Sequence, residues 1–273
     1  MSDAPVRIAR YLGQDGEILD GVVLGEEADF AKLSNYRNLQ IQEVSGLDAM
    51  LRGGRRLGSP RPISEVQLLP FGLGRKIAAI GRNYGAHAKE LGHEVPKEPL
   101  IFLKPQSGLI GHGQAIELPA ASKEVHHEAE LAVLIGARLR DASLSECEEA
   151  VAGFTCLNDV TARDLQRAEV QFTRAKGFDT FCPVGPWVRV GSGWQDARVL
   201  ARVNGHVKQD GRTSDQVFPV PALLKFLSEC MTLEPGDLVS TGTPAGVGPI
   251  REGDVVEIEV EGVGILMNPV RRR

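Results

Sequence analysis

From Lys76 onward the chain breaks into short β-type runs, each closed by a turn bearing glycine, proline or acidic residues. Residues 77–80, 100–103, 131–135, 187–190, 200–203, 238–240 and 255–260 are rich in aliphatic and β-branched side chains and read as strands. Helical patterns are fewer: residues 84–91, 145–152, 161–168 and 221–230. A doubly wound sheet needs a helix after nearly every strand, so that architecture is excluded. The expectation is an α+β chain whose β-rich sheet or barrel-like domain carries its helices at the periphery.

Ahead of this region, residues 6–11 and 18–24 form a candidate hairpin around Gly13-Gln14-Asp15-Gly16. A short helix is expected near residues 47–51. Residues 53–62, dense in glycine and proline, read as a linker. The organisation expected is a small N-terminal domain over 1–66 and a catalytic domain over 67–273. Two turns echo each other, Glu234-Pro235-Gly236-Asp237 and Arg251-Glu252-Gly253-Asp254, each feeding a strand.

Composition narrows the class. At 273 residues with 42% hydrophobic and 25% charged side chains, the chain can close a core without staples. A net charge of −5 gives no footprint for nucleic acid. Cys147, Cys156, Cys182 and Cys230 lack the C-x-x-C spacing of a zinc site or redox pair. No apolar run reaches membrane-spanning length, and the first ten residues lack a signal-peptide core. The expected setting is the cytoplasm, without nucleic-acid or membrane partners.

The chemistry concentrates in five segments. In His126-His127-Glu128-Ala129-Glu130-Leu131, strand alternation puts Glu128 and Glu130 on one side. Two carboxylates about 7 Å apart along a strand repel unless something positive lies between them. Taken alone they read as a solvated edge, but the apolar run that follows drives the strand into a core. Asp159 falls at a strand-to-helix junction, and Thr161 with Asp164 fits a capped helix start. If Asp159 meets Glu128 and Glu130, an all-carboxylate site results, which selects Mg²⁺ or Mn²⁺ over zinc. One of His126 and His127 is expected to pack or to orient a carboxylate.

In Gly81-Arg82-Asn83-Tyr84-Gly85-Ala86-His87-Ala88-Lys89-Glu90, the imidazole of His87 and the carboxylate of Glu90 lie one helical turn apart. Such a pairing holds the tautomer a general base needs, and Gly81 and Gly85 can hinge it as a lid. Lys176, amid Ala175-Lys176-Gly177-Phe178, is either a surface lysine or a carboxylate binder. The loop Thr241-Gly242-Thr243-Pro244-Ala245-Gly246-Val247-Gly248 is no phosphate P-loop, yet its amides and the Thr243 hydroxyl can hold a carboxylate.

Six blocks in order, G-R-N-Y-G-A-H-A-K-E, F-L-K-P, H-H-E-A-E-L, N-D-V-T-A-R-D-L-Q, A-K-G-F-D-T-F-C-P and T-G-T-P-A-G-V-G, resemble the fumarylacetoacetate hydrolase family. The build is similar to its smaller acylpyruvate hydrolase, decarboxylase and isomerase members. The resemblance implies a mixed β-roll core, a divalent metal and a homodimer. By position it implies Glu128, Glu130 and Asp159 as ligands of Mg²⁺ or Mn²⁺ and His87 with Glu90 as a water-activating lid dyad. Lys176 then stabilises charge, while Gln166, Thr243 and Arg82 hold substrate. The leading expectation is C–C hydrolysis of an acylpyruvate (fumarylpyruvate, acetylpyruvate or a diketo sugar acid), releasing pyruvate. The alternatives are oxaloacetate decarboxylation, isomerisation of a 2-hydroxy-diene-dioate, and a catalytically retired metal-binding protein.

Overall fold

The computed structural model describes residues 5–45 and 56–273. The short helix expected near 47–51 lies outside these residues. The strands in chain order begin with β1 (Arg7–Leu12), β2 (Ile18–Leu24), β3 (Gln40–Glu43), β4 (Arg61–Pro62), β5 (Gln67–Leu69), β6 (Ile77–Gly81) and β7 (Leu100–Leu103). They continue with β8 (Leu109–Ile110), β9 (Ile116–Leu118), β10 (Val125–His127), β11 (Ala129–Ile135), β12 (Val151–Asn158), β13 (Thr161–Ala162) and β14 (Cys182–Val190). The last are β15 (Arg198–Val203), β16 (His206–Arg212), β17 (Leu238–Ser240), β18 (Gly248–Pro249), β19 (Val255–Val260) and β20 (Gly264–Arg272). Around them lie α1 (Glu27–Phe30), α2 (Gly85–Glu90), α3 (Leu144–Glu149), α4 (Arg163–Ala168), α5 (Thr173–Lys176) and α6 (Val220–Cys230).

The expected α+β class is what forms, with open mixed sheets. The largest runs β4-β3-β2-β1-β14-β12-β11-β17-β6-β7; a second, β16-β15-β19-β20-β9, packs against it, and β13-β10-β18 makes a small third. β11 is central and buried along its whole length. Its alternate side chains serve two apolar clusters: Leu131, Val133 and Ile135 face the larger, Ala132 and Leu134 the smaller. Parity therefore puts Glu130 on the same face as Ala132 and Leu134.

Topology gathers the site at one edge of this sheet. β11 runs antiparallel to β12 and β17, and β17 parallel to β6. The start of β11 thus lies beside the ends of β12, β17 and β6. From those ends emerge Asp159, the loop 241–248, and helix α2.

The N-terminal strands join the same sheet through the antiparallel pair β1·β14, with Ile8 opposite Val188. Tyr11, Phe30, Tyr36 and Leu39 belong to the larger apolar cluster together with Trp187. Buried Arg7 donates to the carbonyls of Gly262 and Val263 while pairing with Glu27. The hairpin over residues 13–16 forms as expected, closed by Gly13 N–H donating to the Glu17 carbonyl at 2.8 Å.

Three local expectations are corrected. Residues 61–62, read as linker, form β4 on β3, because a sheet edge accepts proline where no ladder donor is needed. Thr161 does not cap a helix: it sits in β13, its hydroxyl donates to the Asp159 carbonyl, and α4 starts after Ala162 without a side-chain cap. Asp164 instead accepts from Ser122 Oγ and Lys123 N–H. The helix expected over 145–152 ends at Glu149, since residues 151–152 open β12. The two echoing turns prove alike: Asp237 and Asp254 each accept from the backbone N–H three residues earlier, both at 2.7 Å.

No helix among the described residues is long and apolar enough to cross a membrane. His112, which accepts from Met267 N–H and packs on Tyr36, is pushed down to about 4 by burial. Between its ordinary value of 6.5 and about 4, the unfolded chain takes up a proton that the folded chain refuses. Unfolding free energy is therefore expected to fall as pH drops through that window, and His112→Phe to flatten the dependence in urea titrations. An unchanged slope would remove His112 from the account.

Candidate active site

Glu128, Glu130 and Asp159 converge as the sequence implies, each buried, with one carboxylate oxygen from each lying within 4.8 Å of the others. Glu128 ends the step between β10 and β11, where its N–H donates to Asn158 Oδ1 at 3.0 Å. Asp159 N–H donates in turn to the Glu128 carbonyl at 2.9 Å, so the two acidic residues share a backbone clamp.

The positive charge that adjacent carboxylates demand is supplied by three buried cations. Lys176 Nζ donates to Glu128 Oε2 at 2.7 Å and to Asp159 Oδ2 at 2.5 Å. Lys104 Nζ donates to Asp159 Oδ1, and Arg163 Nη2 to Glu128 Oε1, both at 2.5 Å. The surface-lysine alternative for Lys176 is thereby excluded. Burial alone raises the Glu128 carboxyl, but Lys176 and Arg163 outweigh it and hold the group well below the usual carboxylate range. Burial likewise pulls Lys176 down, and Asp159 and Glu128 more than reverse it.

Glu130 differs. Its hydrogen-bond partners are uncharged, Ser240 Oγ and Gly242 N–H. Burial, followed by the like charges of Asp159 and Glu128, pushes it up to about 8. A cation beside it would reverse that. Three hard oxygen donors, with no nitrogen or sulfur ligand in the cluster, fit Mg²⁺ or Mn²⁺. Neither neighbouring histidine joins the cluster: His126 pairs with Glu124, and His127 Nδ1 with Gln209 Oε1 at 2.9 Å. Of the two alternatives expected for this pair, packing or orienting a carboxylate, His127 takes the first: it is buried and held by Gln209.

α2 lays the dyad over this cluster. His87 Nδ1 lies 3.3 Å from Glu90 Oε2, and His87 is almost fully buried while Glu90 reaches solvent. Burial lowers His87, with Arg163 and Lys176 adding to the effect and Glu128 and Glu90 opposing it. The imidazole is thus held neutral, the form a base requires. Glu90 also accepts from Gly246 N–H at 3.0 and 3.1 Å, docking the lid on the glycine loop. Gly242 and Gly246 both have φ near +99°, open to glycine and closed to other residues. That conformation points their N–H groups at Glu130 and Glu90.

The remaining expected residues are placed less directly. Gln166 Oε1 accepts from Arg163 Nη1 at 2.6 Å and so reaches the cluster through Arg163. The Thr243 hydroxyl is used within the fold, donating to the Ala129 carbonyl and accepting from Gln209 Nε2, which leaves the loop's backbone to serve a ligand. Arg82 adopts φ +57° immediately after β6, a conformation rare for a side-chain-bearing residue and typical of strained functional positions. Asn83 below it is fully buried and ties the lid's base to the Phe218 and Thr241 carbonyls.

Sequence reasoning assigned no role to Lys104, Arg163, Ser240 or Gln209. Lys104 carries a legible signal, a lysine ending an apolar strand in F-L-K-P. Arg163 sits within N-D-V-T-A-R-D-L-Q, one block with Asp159. Gln209 carries none, because it stands in the polar run His206–Arg212 that shows no apolar pattern and is mostly exposed.

The family model described as fumarylacetoacetate (FAA) hydrolase C-terminal matches residues 76–271. The chain belongs to this family. Among its relatives, oxaloacetate decarboxylase, mitochondrial, of Dictyostelium discoideum is 43% identical, covering 70% of this chain and 90% of that one. Oxaloacetate tautomerase, mitochondrial, of Arabidopsis thaliana is 41% identical over 74% and 94%. The crystal structure of a 2-hydroxyhepta-2,4-diene-1,7-dioate isomerase from Mycobacterium marinum superposes with a TM-score of 0.87 at 40% identity, covering 98% and 99%. A fumarylpyruvate hydrolase from Pseudomonas aeruginosa, in complex with Mn²⁺ and pyruvate, gives 0.69 at 31% identity over 76% and 92%. Family members are enzymes of several reaction classes, and their divalent-metal dependence agrees with the acidic cluster found here.

Proposed function

We propose that this chain forms and protonates the enolate of a small 2-oxo dicarboxylate, with oxaloacetate as reference substrate, in a Mg²⁺- or Mn²⁺-dependent reaction. The observation that carries this reading is a buried imidazole beside a cluster of three carboxyl groups that faces three buried cations. Glu128, Glu130 and Asp159 face Lys104, Lys176 and Arg163, three formal charges against three. A divalent cation there leaves a surplus of two positive charges, which favours a dianion over a monoanion.

When bound, the cation supplies Lewis-acid stabilisation of enolate charge. His87, oriented by Glu90, moves the proton at the carbon beside the 2-oxo group. Lys176 stabilises developing negative charge on oxygen, and the docked lid excludes water. Tautomerisation, double-bond isomerisation and decarboxylation all pass through such an enolate, and these are the reactions in the names of the relatives described above at 40–43% identity. Acylpyruvate hydrolysis, the leading expectation from sequence, also demands attack by water. Its support is the same dyad together with two hydrolases of lower identity, 33% and 31%, the first covering 98% of this chain, so it stands as the second reading. We place the protein in a homodimer, on the family resemblance.

Product identification by NMR on oxaloacetate and acetylpyruvate, each with Mg²⁺ and with chelator, tests the reading. Enol–keto interconversion, or pyruvate and CO₂, from oxaloacetate beyond the metal-only background is expected. Acetate and pyruvate from acetylpyruvate at greater efficiency would overturn it in favour of hydrolysis. The pH profile adds a further check. Because the neutral imidazole is the active base and burial holds His87 below its ordinary value, kcat/KM is expected to stay level down through pH 6.5. An acidic limb at or above 6.5 would contradict the assignment.

A further inference from the structure

We propose that Gln209 is a positioning residue that ties the cation-binding carboxylates to the glycine loop on which the lid acid closes. It rests on the metal site of the preceding section. Gln209 is fully buried on β16, and its side-chain amide makes four hydrogen bonds, its whole capacity. Oε1 accepts from Ala129 N–H and from His127 Nδ1, each at 2.9 Å. Nε2 donates to Thr243 Oγ1 and to the Pro244 carbonyl, each at 2.7 Å. The Ala129 N–H, which can only donate, at one end and the Pro244 carbonyl, which can only accept, at the other fix which way the amide points, and that orientation requires His127 to carry its proton on Nδ1.

The position of these partners gives the network its consequence. Ala129 separates Glu128 from Glu130. Its N–H is held by Gln209, and its carbonyl by the Thr243 hydroxyl that Gln209 itself orients, at 2.8 Å. Both sides of the peptide backbone between two ligands are therefore gripped by one ring of hydrogen bonds. The segment that closes the ring then delivers Gly242 N–H to Glu130 at 2.8 Å and Gly246 N–H to Glu90. Gly246 lies so close to β16 that a Cβ there would stand 2.1 Å from the Lys208 carbonyl. Gln209 thus bears on the ligand spacing and on the lid's docking point at once, without touching substrate.

The test uses Gln209→Met, which keeps side-chain length and removes all four bonds. Mn²⁺ affinity is measured from the free-ion EPR signal, and lid docking from hydrogen exchange of residues 85–92 in the full-length protein. With circular dichroism unchanged, Mn²⁺ affinity is expected to fall about 10- to 100-fold, the range for residues that support metal ligands. Exchange over residues 85–92 is expected to quicken while that of β1 and β2 stays as in the wild type, which general loosening would not produce. Thr243→Val breaks the same ring and carries the same expectation should Gln209→Met fail to fold. Wild-type affinity and wild-type lid exchange in a folded variant would overturn the role of Gln209 alone. Absence of Mn²⁺ binding by the wild type would overturn the metal site together with it.

Discussion

His87→Ala is expected to lower kcat/KM on oxaloacetate by about 10²- to 10⁴-fold, the usual contribution of a positioned general base. The substitution removes the ring that Glu90 orients at 3.3 Å, and no other histidine stands in the cluster to replace it. Divalent-cation affinity is expected to change little, because His87 is outside the carboxylate set. That pairing of lost turnover with retained binding separates a proton-moving role from a structural one. Full activity in the variant would remove the dyad from the mechanism and return the weight to Lewis-acid stabilisation alone.

Lys176→Met is expected to act on stability as well as rate. Lys176 bridges two buried carboxylates, and removing one partner of a buried ion pair costs about 3–5 kcal/mol. Arg163 and Lys104 still hold the outer oxygens of Glu128 and Asp159, so the lower end of that range is expected. A divalent cation offers both carboxylates the missing charge. Urea unfolding should accordingly show stabilisation by Mg²⁺ that is larger in the variant than in the wild type, through preferential binding to the folded state. Turnover should still be lost, because in the proposed mechanism the cation does not replace the ammonium that stabilises charge developing on substrate oxygen. Equal stability of the two proteins in chelator would mean that Lys176 is not buried between the acids.

How much of this was legible beforehand divides along physical lines. The shared side of Glu128 and Glu130 was legible because strand alternation is a rigid rule and an apolar run after them must enter a core, whereas the place of Asp159 beside them followed from the family resemblance. The dyad was legible because a three-residue spacing places two side chains on one helical face. β11 itself was read short, from residue 131, because Ala129 and Glu130 lack strand propensity and are held by long-range pairing with β12. β12, β16 and β20 were not recognised as full strands for the same reason. Helix starts failed where a local cap competed with tertiary demands, as at Thr161, whose hydroxyl turns back to Asp159. The buried cations were the larger gap. Lysine and arginine are normally exposed, and only the fold shows that Lys104 and Arg163 are enclosed with carboxylates. Gln209 lies farther still from sequence reasoning, since its four partners come from segments 34 to 82 residues away.

The central claim is enolate formation at a carboxylate-bound divalent cation with His87 moving the proton. It is tested most directly by following disappearance of the oxaloacetate enol by its ultraviolet absorbance in stopped flow. The expected result is a ketonisation rate proportional to enzyme concentration, abolished by chelator, restored by Mg²⁺ or Mn²⁺, and lost in His87→Ala. A rate no faster than that of the cation alone, or one indifferent to both chelator and His87→Ala, would contradict it.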